Sequence, residues 1–407
     1  MIPDFSLDKS VWRDFTKTYW NQKPTVIRAP FRNPIVTPAE VFGALVKATR
    51  RLRGPTDDLS IHLDTARVLL NTDLDRWLPR AEDASIQRYL ARIKCTPKGR
   101  QFSIFVRDFQ LDLGWVFISR LQQFLKGFYE IEGVPPERAE VDLFFGNYLR
   151  THSGVHRDSA DVFCFVVDGR KRFRAWPADT IPSGSPLTGP TRYAHFLKRS
   201  VCLEGEPGDI IYWPSSYWHV AESGGWMGSS LSLALHYGTG IAHTFSRGFE
   251  AGARQILRGN LIGSLPFSNR RVSHLASIAE RVSRESDGLT RGLMRFWMER
   301  ITGYGFVRIP RVPGRVPWKV DKAVRANPAS RILFKRYNKE LVISANGRSF
   351  VASYSREAVQ MMRTLTRGHV CEMADLLRAG RRKRQPVHHA TRGTLEFLLE
   401  ARALEYL

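Results

Sequence analysis

The segment THSGVHRDSADVFCFVVDGRKRFRAWP, residues 151–177, decides how the rest of the chain is read. It contains His156, an aspartate two places later (Asp158), and a run of basic residues directly after the Asp168-Gly169 pair. His156-x-Asp158 has the spacing of a metal-binding pair, because alternate residues of a strand point to the same side. The same residues also suit a polar loop that leads into an ordinary hairpin. The surrounding sequence has to separate the two interpretations.

The overall composition is that of a large globular chain. Hydrophobic residues make up 43% and charged residues 25% of the 407 residues, which predicts two or three domains and a substantial core. No apolar run has the length of a membrane helix, and the first residues, MIPDFSLDKS, lack the basic and apolar parts of a secretory signal. The four cysteines are scattered: Cys95, Cys164, Cys202 and Cys371. We therefore expect a reducing, cytoplasmic location, no membrane contact and no disulfide scaffold.

The strongest compositional feature is the net charge of +23. A charge of this size attracts acidic partners, and the candidates are RNA, ribosomal material and an acidic peptide segment. Part of the charge is concentrated in RAGRRKR, residues 378–384. The alternative is a solvated basic surface without a specific partner, and the composition leaves both open.

Residue patterns divide the chain into three segments. Residues 1–245 begin with amphipathic helical patterns and continue as short strands rich in aromatic and β-branched residues, which is typical of a β-barrel or sandwich. Residues 246–322 return to helical patterns and end in a proline-containing connection. Residues 323–407 contain a hairpin signal at Asn346-Gly347 and three helical patterns, which predicts a winged-helix-like module.

The metal interpretation requires a third ligand. Non-haem iron(II) oxygenases bind their metal through two histidines and one carboxylate on one face. His219, in GDIIYWPSSYWHVAES, is the best distal candidate, because it follows a Pro-Gly-Asp turn, a buried-looking strand and an aromatic-rich loop. We expect His152 to be a loop histidine. The histidines that compete for the third place are His195, His236 and His243.

Three motifs here resemble those of JmjC-type, 2-oxoglutarate-dependent oxygenases, and within them the ribosomal oxygenase branch, whose members hydroxylate side chains of ribosomal proteins. They are the spacing from His156 to His219, D-V-F-x-F-x-x-x-G-R-K-R-F-R after the His-x-Asp pair, and G-D-I-I-Y-W-P-x-x-x-W-H at the last histidine. The opening YWNQKPTVIRAPF is also similar to this family. The resemblance implies an α+β fold with a double-stranded β-helix, the cupin or jelly-roll barrel. It also implies a helical dimerisation region, a C-terminal winged helix and a homodimer.

The same resemblance implies the roles of individual residues. Fe(II) would be bound by His156, Asp158 and His219. Lys171 would bind the distal carboxylate of 2-oxoglutarate, while its two arginine neighbours would point to the other face of the strand. A hydroxyl three residues before the first ligand, Ser153, would contact the co-substrate. The weaker co-substrate candidates are Asn147, Thr151 and Ser232. The aromatic residues expected around the third ligand, either lining the pocket or packing the barrel, are Tyr212, Trp213, Tyr217 and Trp218.

The position of Lys171 depends on a bend. Asp168-Gly169 is a two-residue hairpin signal, and such a turn would place Val166 opposite Lys171. In one straight strand Val166 would lie about 26 Å from Asp158, at about 3.3 Å per residue, and Lys171 would be out of reach of the metal. A role for Lys171 therefore requires a bend near residues 159–161. Without it, an exposed hairpin lysine is the better interpretation.

The function implied is Fe(II)- and 2-oxoglutarate-dependent hydroxylation of an amino-acid side chain in a protein or peptide, with succinate and carbon dioxide as co-products. One alternative is a tailoring hydroxylase that acts on a precursor peptide or an amino-acid-derived natural product. An alternative of another class is an inactive barrel whose winged helix and basic surface bind nucleic acid or the ribosome. The intact His156, Asp158, His219 and Lys171 argue against an inactive barrel.

Overall fold

The structure is a computed structural model of the chain. It describes residues 4–52, 58–63, 66–67, 74–94, 101–182, 193–238, 240–256, 280, 282–310, 316–379 and 387–407. Most of the predicted basic segment (380–384), part of the proline-containing connection (311–315) and most of the helical pattern at 273–286 lie outside these residues. Within the described residues, no helix is both long enough and apolar enough to cross a bilayer.

The chain forms two compact units. The first comprises Met1–Gly133, Arg138–His236 and Arg308–Arg311, and the second comprises Val134–Glu137, Tyr237–Val307 and Val312–Leu407. The predicted division at residues 245 and 322 stays a prediction.

Six helices and eleven strands of the first unit are described. The helices are α1 (Lys9–Thr18), α2 (Pro38–Arg51), α3 (Leu74–Trp77), α4 (Ile86–Lys94), α5 (Gln110–Leu113) and α6 (Trp115–Glu132). The strands are β1 (Thr25–Ile27), β2 (Leu59–Leu63), β3 (Ala66–Arg67), β4 (Phe102–Val106), β5 (Arg138–Gly146), β6 (Asp161–Asp168), β7 (Lys171–Pro177), β8 (Val201–Gly205), β9 (Ile210–Trp213), β10 (Tyr217–Glu222) and β11 (Gly228–His236).

The helices predicted near the N-terminus begin where their capping residues indicate. The Asp8 side chain accepts a hydrogen bond from the first amide of α1. Thr37 and Glu40 form a reciprocal capping box at the start of α2, with Pro38 in its first turn. Such caps satisfy amides that the helix itself leaves without partners, and each stabilises the helix by about 1 kcal/mol.

Two antiparallel sheets form the barrel of the first unit. The larger has the strand order β1-β9-β6-β11-β5-β4-β2-β3, and the smaller has the order β10-β7-β8. Both faces of strand β6 are buried, and its alternating side chains pack against different neighbours on the two faces. Val162, Cys164 and Val166 pack against residues of the smaller sheet, while the Phe163 ring lies 5.5 Å from Phe124 of α6 on the other side.

The predicted two-residue hairpin at Asp168-Gly169 is wrong. Strand β6 pairs with β11 and β9, whereas β7 pairs with β10 and β8, so the turn carries the chain from one sheet to the other. Gly169 has φ of 69°, and a Cβ atom there would lie 2.3 Å from the Met227 carbonyl oxygen. The turn therefore requires glycine. Lys171 lies opposite Gly205, not opposite Val166.

The second unit contains a closely packed helix pair, α7 (Ile241–Ile256) and α8 (Ser286–Thr302). A Cβ atom on Gly292 of α8 would lie 2.5 Å from the Cα atom of Gly252 in α7. Because neither residue carries a side chain, the two backbones can approach at this point.

The rest of the second unit combines two small sheets with three helices. The strands are β12 (Ala323–Ala326), β13 (Ile332–Tyr337), β14 (Glu340–Ala345), β15 (Arg348–Ser353), β16 (Cys371–Glu372) and β17 (Leu404–Tyr406). The helices are α9 (Arg356–Thr366), α10 (Met373–Ala379) and α11 (Val387–Glu400). The predicted hairpin is confirmed, since Asn346 and Gly347 connect β14 to β15 with φ of 45° and 74°. Two successive positive φ values are typical of a type I′ turn.

The predicted class, α+β with a double-stranded β-helix, is confirmed by these two facing sheets and their helical additions. The winged-helix assignment and the dimerisation role of the helical region stay predictions.

Candidate metal centre and co-substrate pocket

Three potential metal ligands come together where β10 meets the loop before β6. Each residue of the triad offers one ligand atom, and these three atoms, from His156, Asp158 and His219, lie within 4.8 Å of one another. The Asp158 oxygens lie 3.5 Å from His156 Nε2 and 3.4 Å from His219 Nε2. Two imidazoles and one carboxylate form a ligand set that suits Fe(II) and similar divalent ions.

The two histidines are held opposite each other by the backbone. The His156 amide donates to the His219 carbonyl over 3.0 Å, and the His219 amide donates to the His156 carbonyl over 2.8 Å. This reciprocal pair is a single antiparallel bridge between β10 and the loop before β6. It fixes the distance between two side chains that lie far apart in the sequence.

The predicted bend near residues 159–161 is present, but Lys171 comes to the cavity by another route, because β7 pairs with β10, the strand that carries His219. The chain bends at Ser159 and Ala160, and β6 begins only at Asp161. The Asp161 carboxylate accepts a hydrogen bond from the Ser215 amide over 3.1 Å, and burial raises its pKa to about 6. The chain therefore changes direction immediately after the metal-binding pair.

The electrostatics of the three ligands favour metal binding. Burial opposes ionisation of Asp158, but His219, His156 and a hydrogen bond from Trp213 outweigh it and hold the pKa of Asp158 at about 2. Burial lowers the pKa of His219 to about 4. Burial also opposes protonation of His156, but the hydrogen bond and charge of Asp158 raise its pKa above the usual value. Near neutral pH, Asp158 is thus a carboxylate and His219 a neutral imidazole. His156 binds a proton more readily than an ordinary histidine does.

The tautomer of His156 also fits a metal ligand. Its Nδ1 atom lies 3.0 Å from the Gly154 carbonyl oxygen, which can only accept a hydrogen bond. Nδ1 therefore carries the hydrogen, and Nε2 presents its lone pair to the other two ligands.

Lys171, at the start of β7, lines one cavity together with His156, Asp158 and His219. Its side chain is buried and its Nζ atom donates a hydrogen bond to the Tyr148 hydroxyl. The ammonium lies 4.8 Å from the Tyr148 ring centroid, 5.4 Å from that of Phe144 and 5.7 Å from that of Phe173. No carboxylate of the described residues forms an ion pair with it. A buried cation without an anionic partner is costly, so this position fits the distal carboxylate of a dicarboxylate ligand.

The neighbours of Lys171 point elsewhere. Arg170 is paired with Glu206 and Arg172 with Glu204 at exposed positions, over 3.0 Å and 2.6 Å. Strand alternation separates the buried lysine from these exposed arginines.

Thr151, Ser153 and Ser232 line the cavity together with Lys171, whereas Asn147 does not. The Oγ1 atom of Thr151 is buried and has no hydrogen-bond partner among the described residues, which leaves it available to a ligand. Asn147 instead accepts a hydrogen bond from the Phe102 amide over 2.9 Å.

The structure does not bring the competing histidines into the triad. His236 hydrogen-bonds to Glu140 over 3.0 Å, His195 is exposed, and His243 lies in α7 of the second unit. His152 stacks on His62 with ring centroids 3.5 Å apart.

The cavity that the triad and Lys171 line has a volume of about 330 Å³. Of the four aromatic residues expected around the third ligand, Trp213 lines it, and its Nε1 atom donates to Asp158 over 3.3 Å. Tyr212 packs against Phe15 of α1 instead. Tyr217 and Trp218 do not line the cavity.

Tyr148 is the functional candidate that the sequence interpretation missed. Its hydroxyl accepts a hydrogen bond from the Lys171 ammonium, although Tyr148, like Asn147, is not among the residues that line the cavity. Both residues follow the end of β5 at Gly146, so strand alternation does not distinguish them.

Comparison with known families supports the interpretation of this region. Residues 138–243 match the family model described as the JmjC domain. This segment resembles a JmjC domain. It contains the metal triad and Lys171, and the predicted resemblance to JmjC-type oxygenases is therefore confirmed for this part of the chain.

Solved structures share the fold. The X-ray structure of Escherichia coli ycfD matches with a TM-score of 0.54 and 16% identity, over 100% of both chains. YcfD, a ribosomal oxygenase from the same organism, matches in complex with cobalt and succinic acid (TM-score 0.52) and with cobalt and 2-oxoglutarate (TM-score 0.51). Each of these two is 16% identical and covers 97% of this chain and 98% of its own. No curated protein matches the sequence.

Proposed function

We propose that this protein is an oxygenase that hydroxylates an amino-acid side chain of a protein or peptide, with Fe(II) as metal and 2-oxoglutarate as co-substrate. The observation that carries the proposal is one cavity whose lining holds two complementary groups. They are a triad of metal ligands and a buried ammonium that has no anionic partner among the described residues. Succinate and carbon dioxide are the expected co-products.

Different residues of the cavity bind the metal and the co-substrate. His156, Asp158 and His219 hold the metal, and Lys171 holds the far carboxylate of the co-substrate. Thr151, Ser153 and Ser232 are the polar contacts proposed along its length. When bound, Fe(II) and 2-oxoglutarate would supply oxidative decarboxylation with dioxygen as the oxidant, in which one oxygen atom enters succinate and the other is inserted into a substrate C–H bond.

The protein's own part is to exclude water and to orient the substrate. Trp213 and Phe173 give the cavity an apolar wall beside His219, with their ring centroids 4.9 Å and 6.2 Å from the imidazole. On the wall formed by β5 lie two acidic groups, Glu140 and Asp142. Burial, and to a smaller extent the charge of Glu140, raises the pKa of Asp142 well above its usual value. A neutral Asp142 would donate as well as accept a hydrogen bond, which suits a polar substrate group.

A ribosomal protein is the substrate we favour. YcfD, which shares this fold, is named a ribosomal oxygenase, and a net charge of +23 is consistent with contact to RNA or to ribosomal material. A cytoplasmic location follows from the same proposal.

We also propose a homodimer formed through α7 and α8. Phe245 and Phe249 lie four residues apart on one face of α7 and are 55% and 45% exposed, and Trp297 of α8 is 39% exposed. Large exposed aromatic side chains of this kind mark interaction surfaces. Analytical ultracentrifugation should give a dimer for the wild type and a monomer for Phe249→Glu. A monomeric wild type would contradict this part.

Succinate release and product mass test the function together. The purified protein with Fe(II), 2-oxoglutarate and a ribosomal-protein peptide pool should form succinate and peptides heavier by one oxygen atom. His156→Ala should form neither. A wild type that turns over no peptide but binds RNA in a salt-sensitive manner would favour the nucleic-acid-binding alternative.

A further inference from the structure

A chain of polar contacts runs along the wall of the cavity and ends beside the metal site. Arg138 donates to Glu140 over 3.1 and 3.2 Å. His236 Nε2 lies 3.0 Å from Glu140 Oε1, and His236 Nδ1 lies 3.3 Å from the Ser159 hydroxyl oxygen. Glu140, His236 and Ser159 all line the catalytic cavity.

The barrel strands determine this arrangement. Strands β5 and β11 are antiparallel neighbours in which Glu140 lies opposite Ala234 and Arg138 opposite His236. His236 is therefore a diagonal neighbour of Glu140, close enough for contact between long side chains. Both residues are more than nine-tenths buried. A polar pair at such a depth is stable only if its hydrogen bonds are made.

The direction of the hydrogen bonds follows from Glu140. Burial opposes its ionisation, but the hydrogen bond from His236 and the charge of Arg138 hold its pKa below the usual value. An ionised carboxylate only accepts, so His236 donates from Nε2. With the ring hydrogen on Nε2, Nδ1 presents its lone pair to the Ser159 hydroxyl, which is placed to donate to it.

Ser159 is the residue next to the metal-binding Asp158 and the first residue of the bend. Among the described residues, the Asp158 carboxylate receives one side-chain hydrogen bond from outside the triad, from Trp213 over 3.3 Å. The contact between Ser159 and His236 has the same length, so each of the two alone is a weak constraint. A second constraint on this stretch of backbone would come from the Ser159 side chain.

We propose that His236 and Glu140 are positioning residues for the metal site, which orient Ser159 and thereby fix the bend that presents the Asp158 carboxylate to the metal. This inference rests on the proposed metal site. It also explains why the histidine at the end of β11 is not a ligand: its two ring nitrogens are already engaged, one by Glu140 and the other by Ser159.

The test uses Co(II) binding to the full-length protein, which needs no turnover. Ser159→Ala removes the hydroxyl donor and should weaken Co(II) binding about tenfold, since loss of an outer contact typically costs about 10- to 100-fold. His236→Leu removes both contacts and should weaken it by at least as much. Both variants should also change the visible spectrum of bound Co(II), because that spectrum reports ligand geometry.

Matched variants separate positioning from ordinary packing. Ser159→Thr keeps a hydroxyl and should restore the Co(II) affinity and the spectrum. Ser216→Ala makes the same chemical change at an exposed turn that does not line the cavity, and should behave as the wild type. If Ser159→Ala keeps the affinity within about twofold and the spectrum is unchanged, the inference is overturned, even if His236→Leu unfolds. A wild type that binds no Co(II) would overturn the proposed metal site itself.

Discussion

Two groups in the lining of the cavity, the metal triad (the metal end) and Lys171 (the lysine end), hold their charges in opposite ways. At the metal end the ligands are partners of one another, since Asp158 lies 3.5 Å from His156 and 3.4 Å from His219. At the other end the Lys171 ammonium is enclosed by three aromatic rings and has a phenol as its hydrogen-bond partner. The charges of the metal ligands thus largely balance one another, whereas the charge of the Lys171 ammonium is balanced only when an anion binds.

The difference predicts distinct losses at the two ends. Damage to the triad should abolish metal binding and with it every later step. Damage at Lys171 should weaken the co-substrate and leave the metal in place.

The largest effect is expected for His156→Ala. It removes a metal ligand, so Co(II) affinity should fall by more than about 100-fold, the upper end of what an outer contact costs. Succinate formation should drop to background. Isothermal titration with Co(II) and a succinate assay measure the two losses. His195→Ala, an exposed histidine, is the control and should retain both activities. Turnover by His156→Ala close to the wild-type rate would contradict the assignment.

Lys171→Met comes next. It keeps much of the side-chain volume but removes the charge, and a hydrogen bond to a charged group contributes about 1.5–3 kcal/mol. The KM for 2-oxoglutarate should therefore rise about 10- to 100-fold, while Co(II) affinity stays at the wild-type value. Arg170→Met removes a neighbouring exposed cation and should change neither quantity. Loss of Co(II) binding in Lys171→Met would show that the two ends are not independent.

The pH dependence should be confined to the metal end. Metal binding needs a neutral His156, and the pKa of this residue is raised, so protons compete with the metal as the pH falls through the neutral range. The Co(II) affinity should fall about tenfold per pH unit below that pKa. His219 should add a second proton only near pH 4. Titrations at several pH values measure the slope, and a constant affinity between pH 8 and 5 would be inconsistent with this electrostatic description.

The smallest effect is expected for Tyr148→Phe. This change removes one hydrogen bond from Lys171 and leaves the ring in place. A hydrogen bond contributes about 0.5–1.5 kcal/mol, so the KM for 2-oxoglutarate should change about 2- to 10-fold. Tyr217→Phe, outside the cavity, is the matched control. An unchanged KM would mean that Tyr148 contributes packing alone.

Sequence motifs predicted that His156, Asp158 and His219 come together, and the structure brings them together. Each half of the triad lies in a short motif, but His156-x-Asp158 alone also suited a polar loop, and the resemblance of both motifs to one family decided between the two. The barrel and the hairpin at Asn346-Gly347 were predictable because strand alternation and turn chemistry are local.

The features that the sequence did not predict are those that depend on which strands pair. Asp168-Gly169 signals a turn, but a turn inside one sheet and a turn between two sheets have the same local chemistry, and so Lys171 was placed opposite the wrong residue. The contact between Glu140 and His236 spans strands β5 and β11, which are far apart in the chain. The contact between Tyr148 and Lys171 likewise joins two parts of the chain whose proximity is set by the fold.

The single bridge between His156 and His219 has a consequence for how tightly the metal is held. The two ligands are separated by about sixty residues, and the length-dependent part of closing such a loop is on the order of 4 kcal/mol. The reciprocal backbone hydrogen bonds close this loop when the barrel folds. The entropy is therefore lost during folding and not during metal binding, so the ion meets two imidazoles whose spacing is already a property of the barrel.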